Sequence, residues 1–412
     1  MIEKIQNIRN SYNHLLFDLT LGVVTALLFS AFLYLEHFGI TIKLLNTIFG
    51  LLSLALLLYI PKRAVLTAGF FIGLLWFYWI GYSFKYNGIN NMETLITVAF
   101  MFIYMLFFGV LALTNSVAIR AILLFGLTFF EPVDFNWLQL EILFVDSYIG
   151  IFKYQFATVL LSLALVNYIK NPYSYAPLLL LIFAFNFNPP IQKDAPLKIK
   201  LVATDIKQEK KWQIETLQPT LQMIFKEIED AISQKYDVVV LPESVFPFYM
   251  NLATNIMDRL VAYSHHISIV AGSLLKEDEL HYNVTYVFED GEHRVAKKMI
   301  LVPFGEYIPL PEFAKEFIND IFFAGASDFK TASTPTDFVI KGVKFRNAIC
   351  YEATCKEIYD GDVDFVVAIS NNAWFYPSIE PTLQKLLMRF YARKNDATIY
   401  HSANWHGTGI IK

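Results

Sequence analysis

Hydrophobicity is distributed very unevenly along this chain. Residues 1–190 are a succession of runs rich in Leu, Phe, Ile and Val, whereas charged residues reach ordinary globular density only from Lys193 onward. Crossing the hydrocarbon core of a bilayer takes about 20 mostly apolar residues. Seven spans are predicted on that basis, at 15–35, 44–60, 64–84, 95–113, 117–131, 154–169 and 175–189, the fifth and last being short. The first run is too long for the apolar core of a cleavable signal and has no small-residue cleavage site, so it is read as a retained anchor. Only 17% of the 412 residues are charged, against about 25% in an average soluble domain. The expectation is one domain in the membrane, 1–190, and one in water, 191–412.

The charges between the apolar runs predict an orientation. If all seven spans exist, Lys4, Arg9, Lys62, Arg63, Arg120 and Lys170 fall on one side. Glu36, His37, Glu93, Glu131, Asp134, Glu141 and Asp146 fall on the other, diluted by Lys43, Lys85 and Lys153. The amino terminus is then inside and the second domain outside. The stretch 132–153 mixes Trp137, Leu138, Leu140, Ile142, Leu143 and Phe144 with acids, which suits either an amphipathic segment on the membrane surface or an ordinary connection.

After Asn188-Pro189-Pro190 the pattern changes to short β-rich runs alternating with helical ones. Strands are predicted at 199–203, 238–241, 267–272, 282–288, 345–350 and 365–370, and helices at 217–234, 251–265 and 382–397. Such alternation gives a layered α/β domain around a buried sheet. A net charge of -4 without a basic stripe gives no sign of a nucleic-acid partner. Cys350 and Cys355 fit neither a disulfide framework nor a zinc pattern, and His265, His266, His401 and His406 lack ligand spacing, so neither metal nor cofactor is expected.

Three segments carry possible chemistry. Val238 to Leu241 is an apolar strand that runs through Pro242 into Glu243, and a carboxylate at a strand's carboxyl end is placed as a general base would be, although solvated turn residues are commoner there. Lys297 and Lys298 precede a turn-rich apolar segment ending at Glu306; an ammonium there would stabilise a thiolate and an oxyanion, whereas most such pairs lie on surfaces. Cys350 ends another apolar strand and is read as either a nucleophile or a buried structural thiol, free or bonded to Cys355.

The order acid, lysine, cysteine, each at a strand end, resembles the nitrilase superfamily over residues 196–405. Four stretches sharpen the likeness: Leu241-Pro242-Glu243-Ser244, Leu301 to Pro309, Ile349-Cys350-Tyr351-Glu352, and Ser370 to Phe375. With the apolar region before them, they look like the apolipoprotein N-acyltransferase family of Gram-negative bacteria. The resemblance implies a helical transmembrane bundle followed by an α-β-β-α sandwich facing the periplasm from the inner membrane, acting as a monomer. It implies Glu243 as base, Cys350 as nucleophile and Lys298, chosen over Lys297 by its distance from the Leu-Val-Pro-Phe-Gly-Glu run, as oxyanion stabiliser. Glu306, Glu352 and Tyr351 would support them, with Trp374, Phe375 and Phe246 near the acyl chain. The implied reaction moves an acyl chain from the sn-1 position of a phospholipid, through a Cys350 thioester, to the α-amino group of a diacylglyceryl-cysteine lipoprotein. A membrane-tethered amidase, with water in place of the amine, and a non-catalytic binding protein on this fold are the rival readings. The family also implies further strands and a last membrane helix beyond Asn404, and this sequence ends at Lys412.

Overall fold

The computed structural model describes residues 14–87, 92–132, 135–169, 172–187, 192–303, 306 and 329–412. They form two compact units, Met1–Gly81 with Asn90–Pro189, and Tyr82–Ile89 with Pro190–Lys412.

The first unit is helical because an apolar segment in lipid must satisfy its backbone polar groups internally. Its helices are α1 (His14–His37), α2 (Lys43–Tyr59), α3 (Lys62–Phe77), α4 (Met92–Gly109), α5 (Val117–Leu127) and α6 (Lys153–Leu165). Close packing rests on glycine. A Cβ at Gly69 would sit 2.6 Å from the Tyr104 carbonyl oxygen, one at Gly73 2.7 Å from that of Phe100, and one at Gly22 2.6 Å from that of Ala64. The spacing of Gly69 and Gly73 puts one α-helical turn of bare backbone against α4, the small-residue packing by which helices associate in lipid. Beside it Phe77 stacks on Tyr104 with ring centroids 4.6 Å apart, and Trp76 Nε1 donates to Ser30 Oγ of α1 at 3.0 Å.

The seven-span expectation does not hold among the described residues. Two helices, His14–His37 and Met92–Leu113, are long and apolar enough to cross a membrane, and Lys62–Phe77 with Ile80–Tyr86, bent by 43°, makes a third if counted as one span. Helix α5, with 11 residues, reaches about 16 Å at 1.5 Å per residue, roughly half the hydrocarbon core. The run 175–189 contains only the 3₁₀ helix Ala176–Ala184. The alternation of loop sides therefore loses the count on which it stood. In the stretch 132–153 the apolar residues named from sequence face inward: Trp137, Leu138, Leu140, Ile142, Leu143 and Phe144 are all buried, while Tyr148 and Phe152 are exposed. Glu141 there is buried too, paired with Lys153 Nζ at 2.8 Å. This is interior packing, not a segment lying on a surface.

The second unit is two five-stranded mixed sheets. The first has the order β1 (Ile199–Leu201), β2 (Val238–Val240), β3 (Ser268–Glu277), β4 (Leu280–Glu289), β5 (Glu292–Lys297). The second runs β10 (Gly409–Ile411), β9 (Thr398–Asn404), β8 (Phe365–Asn371), β7 (Val343–Ile349), β6 (Asp337–Ile340). In each, three neighbouring strands are parallel (β1, β2, β3 and β7, β8, β9) and the remaining pairings are antiparallel. Alternation along the strands builds two cores. Val238, Val240, Val270, Phe345, Ile349 and Val367 join sheet to sheet. Val239, Leu241 and Ile269, on the opposite face, pack under Leu221, Ile224, Phe225 and Ile228 of α8 (Ile214–Ser233) and Leu260 of α9 (Thr254–Ser264). Helix α10 (Glu380–Lys394) buries Leu383, Leu387 and Phe390 and covers the second sheet, and the short α7 (Gln208–Lys211) precedes α8. The result is the α-β-β-α sandwich, with β5, β6, β9 and β10 added to the strands expected from sequence.

Candidate active site

Both sheets bring parallel strands to an end beside one another, and each strand end delivers one reactive group. After β2 the chain turns at Pro242 and Glu243 into Ser244, whose φ is +47°. The turn is pressed onto β3, where a Cβ at Gly272 would come within 2.5 Å of Ser244 N and 2.6 Å of Glu243 Cα. Only glycine fits beneath such a backbone. Glu243 is 6% exposed, and its Oε1 accepts from Asn283 Nδ2 of β4 at 2.8 Å.

Lys298 directly follows β5 and its amide donates to Asn283 O at 2.9 Å, so one asparagine fixes both the lysine backbone and the Glu243 carboxylate. The Lys298 side chain is 1% exposed. Its Nζ lies 2.7 Å from Glu306 Oε2 and 3.8 Å from Glu243 Oε1. Burial opposes the ammonium, but Glu306, Glu243 and Cys350 outweigh it and raise its pKa, so Lys298 stays charged. Glu306 also accepts from Val302 N at 2.8 Å, tying the lysine to its own loop.

Cys350 follows β7 at φ +57°, the left-handed region rarely adopted by a residue with a side chain, and opens the 3₁₀ turn Cys350–Thr354. Glu352 holds that turn. Its carboxyl accepts from Ile349 N at 2.7 Å, from Ile300 N at 3.0 Å and from Met299 N, linking the cysteine turn to the lysine segment. Burial pushes the Glu352 pKa up to about 7 although Lys298 and those three amides pull it down. Tyr351 is buried beside it, its carbonyl accepting from Thr354 Oγ1 at 2.7 Å and from Cys355 Sγ at 3.4 Å. Both cysteines are free thiols. Gln384 Nε2 of α10 reaches Cys350 Sγ at 3.8 Å. Burial and then the Glu243 carboxylate push the Cys350 thiol well up, Lys298 pulls it down, and Glu380 and Glu306 add to the rise. A neutral thiol beside a carboxylate and a fixed ammonium can be deprotonated as it attacks, with the ammonium meeting the negative charge that develops.

The remaining sequence-derived positions separate. Trp374 and Phe375 are half-buried on the turn after β8, and Tyr86 meets Trp374 edge-on at 5.4 Å. Phe246 is fully buried in the core with Phe225 and Phe248 around it, so it offers no surface to an acyl chain. His401 is internal, its Nδ1 2.9 Å from Gly407 O and its Nε2 2.8 Å from Ser370 Oγ. Four site residues escaped the sequence reading: Lys211, Asn283, Glu380 and Gln384. Asn283 had a usable signal, since asparagine is depleted in strands and this one interrupts an apolar run.

Comparison with known proteins bears on the whole chain. The family description "Apolipoprotein N-acyltransferase integral membrane domain" matches residues 16–187, and "Carbon-nitrogen hydrolase" matches 205–407. The apolipoprotein N-acyltransferase of Wolinella succinogenes is 40% identical over 96% of this chain and 96% of its own. The chain belongs to the apolipoprotein N-acyltransferase family. Relatives of the same name from Helicobacter hepaticus, 35% identical over 89% of this chain and 94% of that one, and Campylobacter jejuni, 33% over 95% and 89%, agree. Membership makes the chain an integral membrane acyltransferase with a carbon-nitrogen hydrolase domain. Every site group from Lys211 to Gln384 falls inside the second match.

Proposed function

We propose that the chain transfers an acyl group from the sn-1 position of a membrane phospholipid to the α-amino group of a diacylglyceryl-cysteine lipoprotein, by way of a thioester on Cys350. The observation that carries this is the placement of Cys350 on a strained turn under the electrostatic influence of both Glu243 and Lys298. In the first half-reaction Sγ attacks the ester carbonyl while Glu243 takes the thiol proton. The ester C–O bond then breaks and that proton passes to the departing alcohol oxygen of the lysophospholipid. In the second half the neutral amine attacks the thioester, Glu243 removes its proton, and the breaking C–S bond returns the electron pair to sulfur, which recovers the proton. Lys298 stabilises the oxyanion of both tetrahedral intermediates and Glu306 holds Lys298 in place. Trp374 and Phe375 are proposed acyl-chain contacts.

The membrane unit suits such substrates. Drawing an acyl chain into water costs about 0.8 kcal/mol per CH2, which an enzyme embedded beside its lipid avoids. The catalytic unit is proposed to lie on the periplasmic face of the inner membrane, as the family resemblance implies.

The test is intact-mass analysis of detergent-purified protein incubated with labelled phosphatidylethanolamine. An acyl adduct in the wild type, absent in Cys350→Ala and passed to a diacylated lipopeptide, is expected. An adduct persisting in Cys350→Ala removes the thioester, and one that water discharges without ever acylating the peptide makes the chain a hydrolase.

A further inference from the structure

Lys211 is a buried lysine that the reaction just described does not use. It ends α7, is 4% exposed, and its Nζ donates to the backbone oxygen of Glu243 at 2.9 Å. Lys211 Nζ and Trp374 Nε1 also lie 3.1 Å and 3.2 Å from the Asn371 side-chain amide, whose oxygen faces them in one of its two orientations and whose nitrogen in the other donates to Gln208 Oε1 at 2.9 Å. Asn371 ends β8 of the second sheet, whereas Glu243 follows β2 of the first. One ammonium thus clamps the turn carrying the base to the turn carrying Trp374. A buried lysine paired only with neutral acceptors is costly and loses its proton readily; this one has carboxylate charge nearby.

The charge count shows what it does there. The buried acids around the site are Glu243 and Glu352, with Glu306 half-buried and Glu380 buried with its carboxyl pushed well up, and the buried ammoniums are Lys298 and Lys211. Lys298 Nζ is engaged at 2.7 Å by Glu306 and lies 3.8 Å from Glu243 Oε1, while Lys211 approaches Glu243 from its backbone side. We propose that Lys211 is a positioning residue of this site, whose charge favours the thiolate of Cys350 and whose hydrogen bonds fix the Glu243 turn against the Asn371–Trp374 turn. The proposal rests on the acyl-transfer reading only for what the thiolate is used for. Burial lowers the Lys211 pKa to about 8, with Glu243 and Cys350 resisting the fall. The ionisable groups facing it are therefore Glu243 from the end of β2 and Cys350 from the end of β7. The turn after β8 contributes the neutral Asn371 and Trp374.

The experiment is the rate of iodoacetamide alkylation at Cys350, located by peptide mass in full-length detergent-purified protein, from about pH 5.5 to about 9.5, a range that spans the lowered Lys211 and an ordinary thiol. It is run beside the labelled-phospholipid adduct assay on wild type, Lys211→Met and Lys211→Arg. Lys211→Met is expected to move the alkylation profile to higher pH by about one unit and to slow adduct formation about tenfold, the same change in free energy. Lys211→Arg, charged at every accessible pH, is expected to hold the profile near its wild-type position and to remove any inflection near pH 8. An unmoved profile in Lys211→Met overturns the proposal, even if acyl transfer slows, because a purely structural clamp would not change the thiol's titration. If Lys211→Met fails to fold, a wild-type inflection near pH 8 that survives in Lys211→Arg overturns it instead. A shifted profile in a protein that never accepts acyl leaves Lys211 in its role and removes the acyl-transfer reading.

Discussion

The two units bury polar groups by different means. In the membrane unit, buried hydroxyls mostly meet backbone carbonyls, on their own helix as Thr25 Oγ1 to Leu21 O at 2.7 Å and Thr47 Oγ1 to Lys43 O at 2.7 Å, or across to another segment as Ser162 Oγ to Pro177 O at 2.9 Å. Its close contacts come from missing side chains, at Gly22, Gly69 and Gly73. In the catalytic unit, buried carboxyls and ammoniums crowd around two left-handed residues, Ser244 and Cys350. Helix packing in lipid gains from small residues and satisfied backbone, whereas acyl transfer needs charges held in place before reaction. Substitutions should therefore damage the first unit through packing and the second through chemistry.

The largest effect tests the second rule. Cys350→Ala should abolish the acyl adduct, a loss of at least about 10⁴-fold as when other enzymes lose a nucleophile, while the melting temperature in detergent moves little. Lys298→Met should cost about 10²–10³-fold in adduct formation, the usual loss for one oxyanion donor. A Cys350→Ala protein that melts far below wild type would show that the turn is a folding element first.

The next effect tests the first rule. Gly73→Leu puts a side chain where even a Cβ would meet the Phe100 carbonyl at 2.7 Å, so α3 and α4 must part, at a cost of about 1–3 kcal/mol or more. Thermal unfolding in detergent should fall by several degrees, with the per-molecule adduct rate of the remaining folded protein preserved. A full-strength melting temperature would mean that the helices are not pressed together at Gly73.

These contrasts mark what the sequence made legible. The proposed triad stood out in the sequence because Glu243 and Cys350 follow apolar strands and the acid, lysine and cysteine occur in a recognisable order, although Lys298 itself follows the polar strand β5. Strands β2, β4, β7 and β8 fell close to their expected places since apolar β-branched runs mark buried strands. The edge strands β6 and β10 were missed because three or four residues leave no periodicity. The seventh span was read from hydropathy alone, yet Ala176–Ala184 is too short to cross, and length decides that only after helix ends are known. Lys211 looked like one more charge in Gln208-Glu209-Lys210-Lys211, and only the fold turns its side chain towards Glu243.

A pH-dependent effect follows from His401. Burial lowers its pKa to about 4, so the folded protein holds it neutral while the unfolded chain would charge near 6.5. A depressed folded pKa on a histidine gives stability that is complete above pH 6.5 and is lost as pH falls through that value towards 4. The full loss is on the order of 3 kcal/mol. Melting curves from pH 7.5 to 4.5 should show this slope, and it should flatten in His401→Gln.

A second pH effect, opposite in sign, concerns Glu380. Burial, and then the Glu243 carboxylate, push its carboxyl well up, and Oε2 has no hydrogen-bond partner. The start of α10 favours an anion, but by only about 0.3–1 kcal/mol at an exposed site, less than the cost of an unpaired buried charge. Glu380 therefore holds its proton to higher pH in the fold than in the unfolded chain, which ionises above about pH 4.3. A raised folded pKa on a carboxyl means its stability is complete below that value and declines as pH rises. Glu380→Gln keeps the shape without the titration, so its melting temperature relative to wild type should climb between pH 4.5 and 8. A difference that stays flat would place a carboxylate, not an acid, beside Cys350, and the charge balance around Lys211 would then need a third cation.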